Sequence, residues 1–384
     1  MGKKTKRLEF RLGALGRFVP LLAAAGMILW AACSQSNVNG YVIAFFGALV
    51  AGALFARDDK AYGEAIVYGL CKPMFAVIVL AVMLAAVSGK LISASGMVQT
   101  IASYVVAVGL TGRWFVAAAF LITCLLAFST GTSVGTYFVV IPILFPVGVM
   151  AGVAPAYMIG AIVSGAAFGD NLGPISDTTI ASSSTQHADL GKVVKTRMRY
   201  SIPAAVGALV LFLLFTKTGS AGMNPGAAQD VAVRPLSLIM LVVPVTIVAL
   251  CLMRRHLIMA LSYGILAGAA AGLLSGIYKV TDLVAFPGGF AVSGLVTEAI
   301  GGTAGTVAML IAVFALLGVM EQSGLFEDVG ALLQRFAGNE RSTEATIVLS
   351  TGILSMITGV ISVAIVALGD LVNEIGEKAG VDRY

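Results

Sequence analysis

The chain has 384 residues, of which 59% are hydrophobic and 11% charged, and its net charge is +5. A soluble domain carries about 25% charged residues, so a chain this poor in charge cannot cover a water-exposed surface. This composition excludes an ordinary soluble enzyme or binding module. It also predicts no nucleic-acid partner, because the basic excess lies beside apolar segments.

Apolar windows without Asp, Glu, Lys or Arg recur along the chain and predict membrane-spanning helices. The longest window runs from residue 114 to residue 169. A helix needs roughly 20 apolar residues to cross the hydrocarbon core, and uninterrupted apolar runs favour helices over the alternating strands of a membrane barrel. The sequence therefore predicts an all-α polytopic membrane protein with about 10–11 transmembrane helices, counted by this length rule.

Basic residues cluster at residues 3–17, at residues 192–199 and at Arg254–Arg255. Basic clusters beside spans mark cytoplasmic loops, so residues 1–17 are predicted to form a cytoplasmic N-terminal tail in a bacterial inner membrane. Residues 18–34 and 41–56 are predicted to cross outward and back, and the long apolar run up to Asp170 to make an even number of crossings. Residues 200–217 then cross outward and residues 235–253 return. Near the start of another apolar run, Lys72 is predicted to extend its amine to the membrane interface.

The two halves of the chain align after a shift of 228 positions, with 13 of 62 gap-free pairs identical. Repeats in transporters are commonly inverted and pack around a site at mid-membrane. The matched pairs include Ser95–Gly96 with Ser323–Gly324, Arg113 with Arg341, and Thr130–Gly131 with Thr358–Gly359. We expect a first transmembrane repeat at residues 18–217, a linker at residues 218–234 and a second repeat at residues 235–384. Because Tyr384 aligns with Ala156, the second repeat is expected to be cut short.

A first polar stretch, STGTSVGT at residues 129–136, interrupts the longest apolar window. Small hydroxyl residues and glycine suit a broken helix whose unwound carbonyls and hydroxyls face a cavity. The alternative is close helix packing through small residues. The candidate cation ligands in this stretch are Thr130, Thr132 and Ser133.

A second polar stretch, at residues 164–186, contains Asp170 and Asp177 directly after an apolar run. Gly173 and Pro174 break the helix between them and predict a re-entrant hairpin. An Asp at the bilayer centre costs roughly 2.5–3.5 kcal/mol, and a hard cation held by oxygen ligands would offset that cost. The candidate ligands here are Asp170, Asn171, Ser176, Asp177, Thr178 and Thr179. The alternative is that Ser176 or Asp177 caps a surface helix and that Asp170 lies at the interface.

The segment GDNLGPISDTTIASSSTQ, followed by VVKTRMRYSIPAA up to Ala205, closely resembles the signature of the NhaC family of sodium/proton antiporters. That signature is Gly-Asp, a polar residue, Ser-Asp-Thr-Thr, a basic amphipathic stretch and a proline that opens the next helix. The resemblance implies an inverted-repeat antiporter. Two positions depart from the pattern: Asn171 stands where many relatives have Lys, and Val360–Ile361 replace a polar pair in the second half. Relatives also continue past the position of Tyr384.

Three functions remain open at this point, and the first is exchange of sodium for protons. A carboxylate binds either ion but not both, so protons and sodium would compete at Asp177 or Asp170. Asp177 is expected to carry the ion, with Asp170 as proton partner or second ligand. The expected substrates are sodium and protons, in contact with the lipid bilayer, with no cofactor and no enzymatic activity. A homodimer is left open.

A carrier of the same architecture that couples sodium or protons to an organic anion, as in malate/lactate exchange, explains the same residues. In that carrier Arg113 and Arg341 would pair with a substrate carboxylate. A more distant alternative is an intramembrane aspartyl protease. AFGD ending at Asp170 and ALGD ending at Asp370 resemble its Gly-x-Gly-Asp signature, although alanine replaces the first glycine in both.

Overall fold

The computed structural model describes residues 8–13, 15–173, 176–216, 234–253, 255–325, 328, 340–358, 365, 368–369, 372–373 and 375–377, without the side chains of residues 177, 340, 353, 354 and 356–358. Residues 1–7 and 14 of the predicted N-terminal tail, and all of the predicted linker except Arg234, lie outside these residues. The same holds for Asp370, Val360–Ile361 and the side chain of Asp177.

The described residues form mainly α-helices, which we number in chain order. The first ten are α1 (Val19–Cys33), α2 (Val38–Phe55), α3 (Asp59–Leu70), α4 (Pro73–Ala94), α5 (Met97–Ala107), α6 (Arg113–Thr130), α7 (Ser133–Met150), α8 (Pro155–Leu172), α9 (Asp177–Thr185) and α10 (Leu190–Phe215). The next six are α11 (Val242–Leu252), α12 (Leu257–Leu274), α13 (Val280–Leu283), α14 (Leu295–Gly302), α15 (Ala304–Gln322) and α16 (Glu340–Thr358). Short 3₁₀ turns at Leu15–Phe18 and Pro235–Leu241 precede α1 and α11.

Nine helical segments within the described ranges are long and apolar enough to cross a membrane. These segments are Leu15–Cys33, Val38–Phe55, Pro73–Ala94, Arg113–Thr130, Ser133–Met150, Leu190–Phe215, Pro235–Leu252, Leu257–Leu274 and Leu295–Gln322. The protein is therefore a multi-pass, all-α membrane protein, as the charge-free windows predict. The predicted spans at residues 18–34, 41–56 and 235–253 each coincide with one of these segments.

Helix α10 differs from its prediction, because it begins well before residue 200. The carboxylate of Asp189 accepts a hydrogen bond from the backbone N–H of Lys192 at 2.9 Å, and this cap starts the helix at Leu190. The basic cluster at residues 192–199 therefore lies on the first turns of α10 and not in a loop. Pro203, which the family signature places at a helix start, lies inside the helix.

A two-stranded antiparallel hairpin interrupts the helical pattern between α13 and α14. Its strands are β1 (Ala285–Gly288) and β2 (Ala291–Ser293). The hairpin is expected neither from hydropathy nor from the length of the apolar windows. Gly288 and Gly289 have φ angles of +103° and +63°, which glycine adopts without steric cost, so the chain reverses there.

The chain divides into two compact units. One unit contains residues 1–79, 181–188 and 303–384, and the other contains residues 80–180 and 189–302. The two units are defined by which residues pack together, whereas the predicted repeats are defined by similarity between two parts of the sequence. The boundaries of the two predicted repeats therefore stay a prediction.

The matched repeat segments have the same local structure at their best-aligned point. Helices α4 and α15 end at Ala94 and Gln322, which are 228 positions apart. The next residue in each, Ser95 and Ser323, donates its hydroxyl to the carbonyl three residues earlier at 2.7 Å. The following glycines have φ angles of +82° and +76°. Both segments therefore end a helix by the same contacts, and the repeat itself stays a prediction.

In the first unit, α3 and α15 pack with their backbones in contact. A Cβ atom added at Gly69 would lie 2.0 Å from the carbonyl oxygen of Phe314, and one added at Gly318 would lie 2.2 Å from that of Ala65. Only glycine allows this approach, as in helix pairs that associate through small residues. The close packing brings the end of α3 beside the end of α15.

At that point Lys72 forms an ion pair with Glu321, whose other carboxylate oxygen accepts a hydrogen bond from the Tyr68 hydroxyl at 2.8 Å. The hydrogen bond to the Glu321 carboxylate raises the pKa of Tyr68, with burial as the second cause. The sequence predicts that Lys72 reaches the membrane interface, whereas the structure pairs it with a carboxylate far along the chain.

We expect Glu321→Gln to destabilise the protein by about 1–2 kcal/mol, because it leaves a part-buried ammonium without its counter-charge. The two side chains are 22% and 31% exposed. The measurement is the thermal melting temperature of the purified full chain in detergent.

Glu298→Gln is the matched control. It breaks the Lys90–Glu298 pair at 2.9 Å, whose side chains are 39% and 62% exposed. An exposed pair contributes about 0–1 kcal/mol, so this variant should melt close to the wild type. Equal melting temperatures for the two variants would contradict a stabilising role for the Lys72–Glu321 pair.

Candidate cation-binding site

Close packing of α8 on α6 fixes the position of Asp170. Gly165, Gly169 and Gly173 form a stripe along α8 at four-residue spacing. A Cβ atom added at Gly165 would lie 2.7 Å from the carbonyl oxygen of Phe120, and one added at Gly169 would lie 2.2 Å from that of Cys124. Because the neighbouring atoms are backbone atoms of α6, the two helices lie in direct backbone contact at both glycines. Asp170 follows Gly169 directly and is held at this contact.

The helix breaks where Gly173 and Pro174 predict it, since α8 ends at Leu172 and α9 begins at Asp177. Ser176 lies in the break and is fully buried. Its hydroxyl donates to Oδ1 of Asp170 at 2.6 Å and lies 2.9 Å from the hydroxyl of Thr178. Thr179, one residue further, is also fully buried. The break therefore gathers one carboxylate and three hydroxyls.

The first polar stretch forms the connection between α6 and α7, two helices of 18 residues each. Gly131 ends α6 with a φ angle of +67°. Thr132 caps α7 by accepting a hydrogen bond from the N–H of Gly135 at 3.3 Å. The hydroxyl of Thr130 lies 3.1 Å from that of Thr136. Thr130 and Thr132 thus contribute to the connection itself.

The two interruptions are brought together by their glycines. A Cβ atom added at Gly173 would lie 3.5 Å from the Cα atom of Gly131. Tyr137, one turn into α7, hydrogen-bonds to Ser133 and interacts electrostatically with Asp170. The roles of Thr130, Thr132 and Ser133 as cation ligands stay a prediction. Hydropathy gives no signal for Tyr137, because it lies within a span.

Arg197 of α10 is a second charged residue at this site, and the sequence analysis does not identify it. Its Nη1 atom donates to the hydroxyl of Thr179 at 2.9 Å and to the backbone carbonyl of Asn171 at 3.4 Å. It also interacts electrostatically with Asp170. In the sequence Arg197 is one member of a basic cluster typical of a cytoplasmic loop, so the sequence around it does not predict this contact.

The side chain of Asn171 contacts α10. Its amide nitrogen donates to the hydroxyl of Ser201 at 2.9 Å. Ser201 lies one helical turn after Arg197, so the same face of α10 makes both contacts with the end of α8. Asn171 thus contributes its backbone carbonyl to Arg197 and its side chain to Ser201. Its predicted role as a cation ligand stays a prediction.

Asp177 begins α9, and its side chain lies outside the described part of the protein. Among the side chains described, no three of His, Cys, Asp or Glu come together as metal ligands. The donors at the site are instead mixed: one carboxylate with hydroxyl and carbonyl oxygens. Hard cations are bound by oxygen donors of this kind.

An apolar cavity of about 430 Å³ lies elsewhere, between α6, α7 and α11. Ile122, Val139 and Val248 are typical of its lining, and they offer no oxygen donors from their side chains. Its chemistry suits hydrocarbon rather than an ion. The polar cluster at the end of α8 therefore remains the candidate site.

The sequence of the chain matches a known protein family. The profile of the Na+/H+ antiporter family matches residues 10–217, more than half of the chain. The match includes α8, the helix break, α9 and the Arg197-bearing helix α10. The whole candidate site thus lies within the matched region.

Three relatives are similar to the chain over different lengths. The malate-2H(+)/Na(+)-lactate antiporter of Bacillus subtilis is 34% identical over 173 residues, covering 44% of this chain and 36% of that protein. The Na(+)/H(+) antiporter NhaC of Alkalihalophilus pseudofirmus is 29% identical over 182 residues, covering 45% and 38% respectively. The Na(+)/H(+) antiporter NhaC of Bacillus subtilis is 26% identical over 412 aligned positions, covering 98% and 86%. The matched stretch spans little more than a third of the first two relatives.

Proposed function

Because the chain belongs to the Na+/H+ antiporter family, we propose that it is a secondary active transporter that exchanges sodium for protons across the cell membrane. The observation that carries the proposal is the hydrogen bond from the buried hydroxyl of Ser176 to the part-buried carboxylate of Asp170, within a group of oxygen donors at a helix break. The bacterial inner membrane as location and a cytoplasmic N-terminus belong to the same proposal, supported by the basic residues at positions 3–17.

Exchange follows from the chemistry of one carboxylate. Sodium binds the anionic form of Asp170, with the hydroxyls of Ser176, Thr178 and Thr179 supplying neutral oxygens. A proton neutralises the same carboxylate and removes the charge that holds sodium. The two ions therefore take turns, and alternating exposure of the site to the two sides of the membrane couples their movements. Asp177 is proposed as a second ligand or proton partner.

The direct test is proton movement in everted vesicles that carry the full chain. After a respiration-driven acid interior is established, we expect added sodium to release protons at once, whereas the same concentration of choline should not. Vesicles without the protein are the control. If added sodium leaves the pH gradient unchanged at every pH in the physiological range, the result contradicts the proposal.

Exchange coupled to an organic anion is the second candidate, because the malate/lactate antiporter is among the relatives and Arg197 adds a cation to the site. A guanidinium recognises a carboxylate well. The same vesicles discriminate between the two functions. Proton release by sodium alone supports inorganic exchange, whereas release that requires malate or lactate on one side supports the organic-anion carrier.

A further inference from the structure

Arg197 differs from the other basic residues of its cluster in its surroundings. Lys192, Lys195 and Arg199 are exposed, whereas Arg197 is only partly exposed. Withdrawing a charged side chain from water is costly unless acceptors and an opposite charge compensate for it. The position of Arg197 therefore depends on the groups that it contacts.

Those groups lie on both sides of the helix break. The carbonyl of Asn171 belongs to the last turn of α8, where unpaired carbonyls carry partial negative charge. The hydroxyl of Thr179 belongs to the first turn of α9 and is fully buried. With contacts of 3.4 Å and 2.9 Å to these two oxygens, the Nη1 atom of Arg197 bridges the break.

The guanidinium thus uses groups that a sodium ion would need. It interacts with the Asp170 carboxylate and occupies the Thr179 hydroxyl. Two positive charges close together in a low-dielectric site repel each other strongly. A guanidinium also does not lose its proton in proteins, so the charge of Arg197 stays at the site unless the side chain moves.

We propose that Arg197 is a tethered competitor of the transported cation: it neutralises Asp170 while no sodium is bound, and sodium binds as the guanidinium withdraws. Arg197 is then a positioning residue that sets sodium affinity, not a ligand of the ion. The inference rests on the proposed function only in taking sodium as the cargo. It adds a source of positive charge for the part-buried Asp170 carboxylate before sodium binds.

The test is equilibrium binding of radioactive sodium to the purified full chain. We expect Arg197→Gln to lower the dissociation constant for sodium about tenfold, the order expected when one nearby like charge is removed. Arg197→Lys keeps the positive charge and should stay within about twofold of the wild type. In exchange assays Arg197→Gln should lower the KM for sodium and also the maximal rate, because tightly held sodium leaves slowly.

Arg199→Gln is the matched control, since it removes the same charge from an exposed position of the same helix. Its sodium affinity should equal that of the wild type. An Arg197→Gln variant that binds sodium no more tightly than Arg199→Gln would overturn the inference, as would an Arg197→Lys variant that behaves like Arg197→Gln. Loss of malate binding in Arg197→Gln, with sodium binding unchanged, would make Arg197 a carboxylate anchor instead.

Failure of this inference is distinguishable from failure of the proposed function. Sodium binding and proton movement are measured separately, each on the wild type and on Arg197→Gln. Sodium binding that responds to Arg197, without sodium-driven proton movement, would contradict exchange and support the inference. If sodium drives proton movement but the sodium affinity is the same in the wild type and in Arg197→Gln, exchange is supported and the inference is contradicted.

Discussion

Asp170→Asn is expected to reduce sodium-driven proton movement to the level of vesicles that lack the protein. The amide that replaces the carboxylate carries no charge to hold sodium, and it does not take up a proton at physiological pH. Its oxygen still accepts the hydrogen bond that Ser176 makes to Oδ1 at 2.6 Å in the wild type. The variant should therefore still fold, and a melting curve and the vesicle assay measure its stability and its loss of exchange together.

Asp189→Asn is the matched control for that substitution. Asp189 is exposed and caps α10 through its bond to the N–H of Lys192. Asparagine caps a helix about as well as aspartate, so both folding and exchange should be retained. Asp177→Asn belongs in the same series. Full exchange in Asp170→Asn with loss in Asp177→Asn would transfer the ion-carrying role to Asp177, and full exchange in both would remove the carboxylate mechanism altogether.

Gly169→Ala is expected to have the largest effect on stability. The added Cβ atom would lie 2.2 Å from the carbonyl oxygen of Cys124 and 2.7 Å from the backbone nitrogen of Phe128. Backbone atoms cannot rotate away, so α8 and α6 must move apart. Overpacking of this kind costs about 1–3 kcal/mol, and we expect the melting temperature to fall by about 5 °C. Exchange should fall as well, because Asp170 is the next residue.

Gly160→Ala provides the comparison on the same helix. Its added Cβ atom would lie 3.8 Å from a ring carbon of Phe212, which is an ordinary contact. Alanine also loses less conformational entropy on folding than glycine, so this variant should melt at or slightly above the wild-type temperature and keep full exchange. A Gly169→Ala variant that matches Gly160→Ala in both measurements would show that the close approach of α8 and α6 does not position Asp170.

The class of the protein and the location of its site follow from local features of the sequence. Charge-free windows of span length predict membrane helices because each helix must satisfy its own backbone inside lipid. Gly173 and Pro174 are adjacent residues that both disfavour a helix, so the break after Leu172 is expected from the residues themselves, although Pro203 alone does not end α10. The clustering of Asp170, Ser176 and Thr178 at that break is likewise local, since these residues are at most eight positions apart.

The partners that complete the site depend on tertiary structure. Arg197 reaches Asn171 across 26 positions of chain only because α10 packs against the end of α8. Lys72 finds Glu321 across 249 positions because two glycines let α3 and α15 touch. The residues around Arg197 and Lys72 in the sequence would look the same whether these side chains faced water or a carboxylate. Hydrophobicity and helix breaking are properties of short segments, whereas the choice of charge partner is made by helices that meet only after the chain has folded.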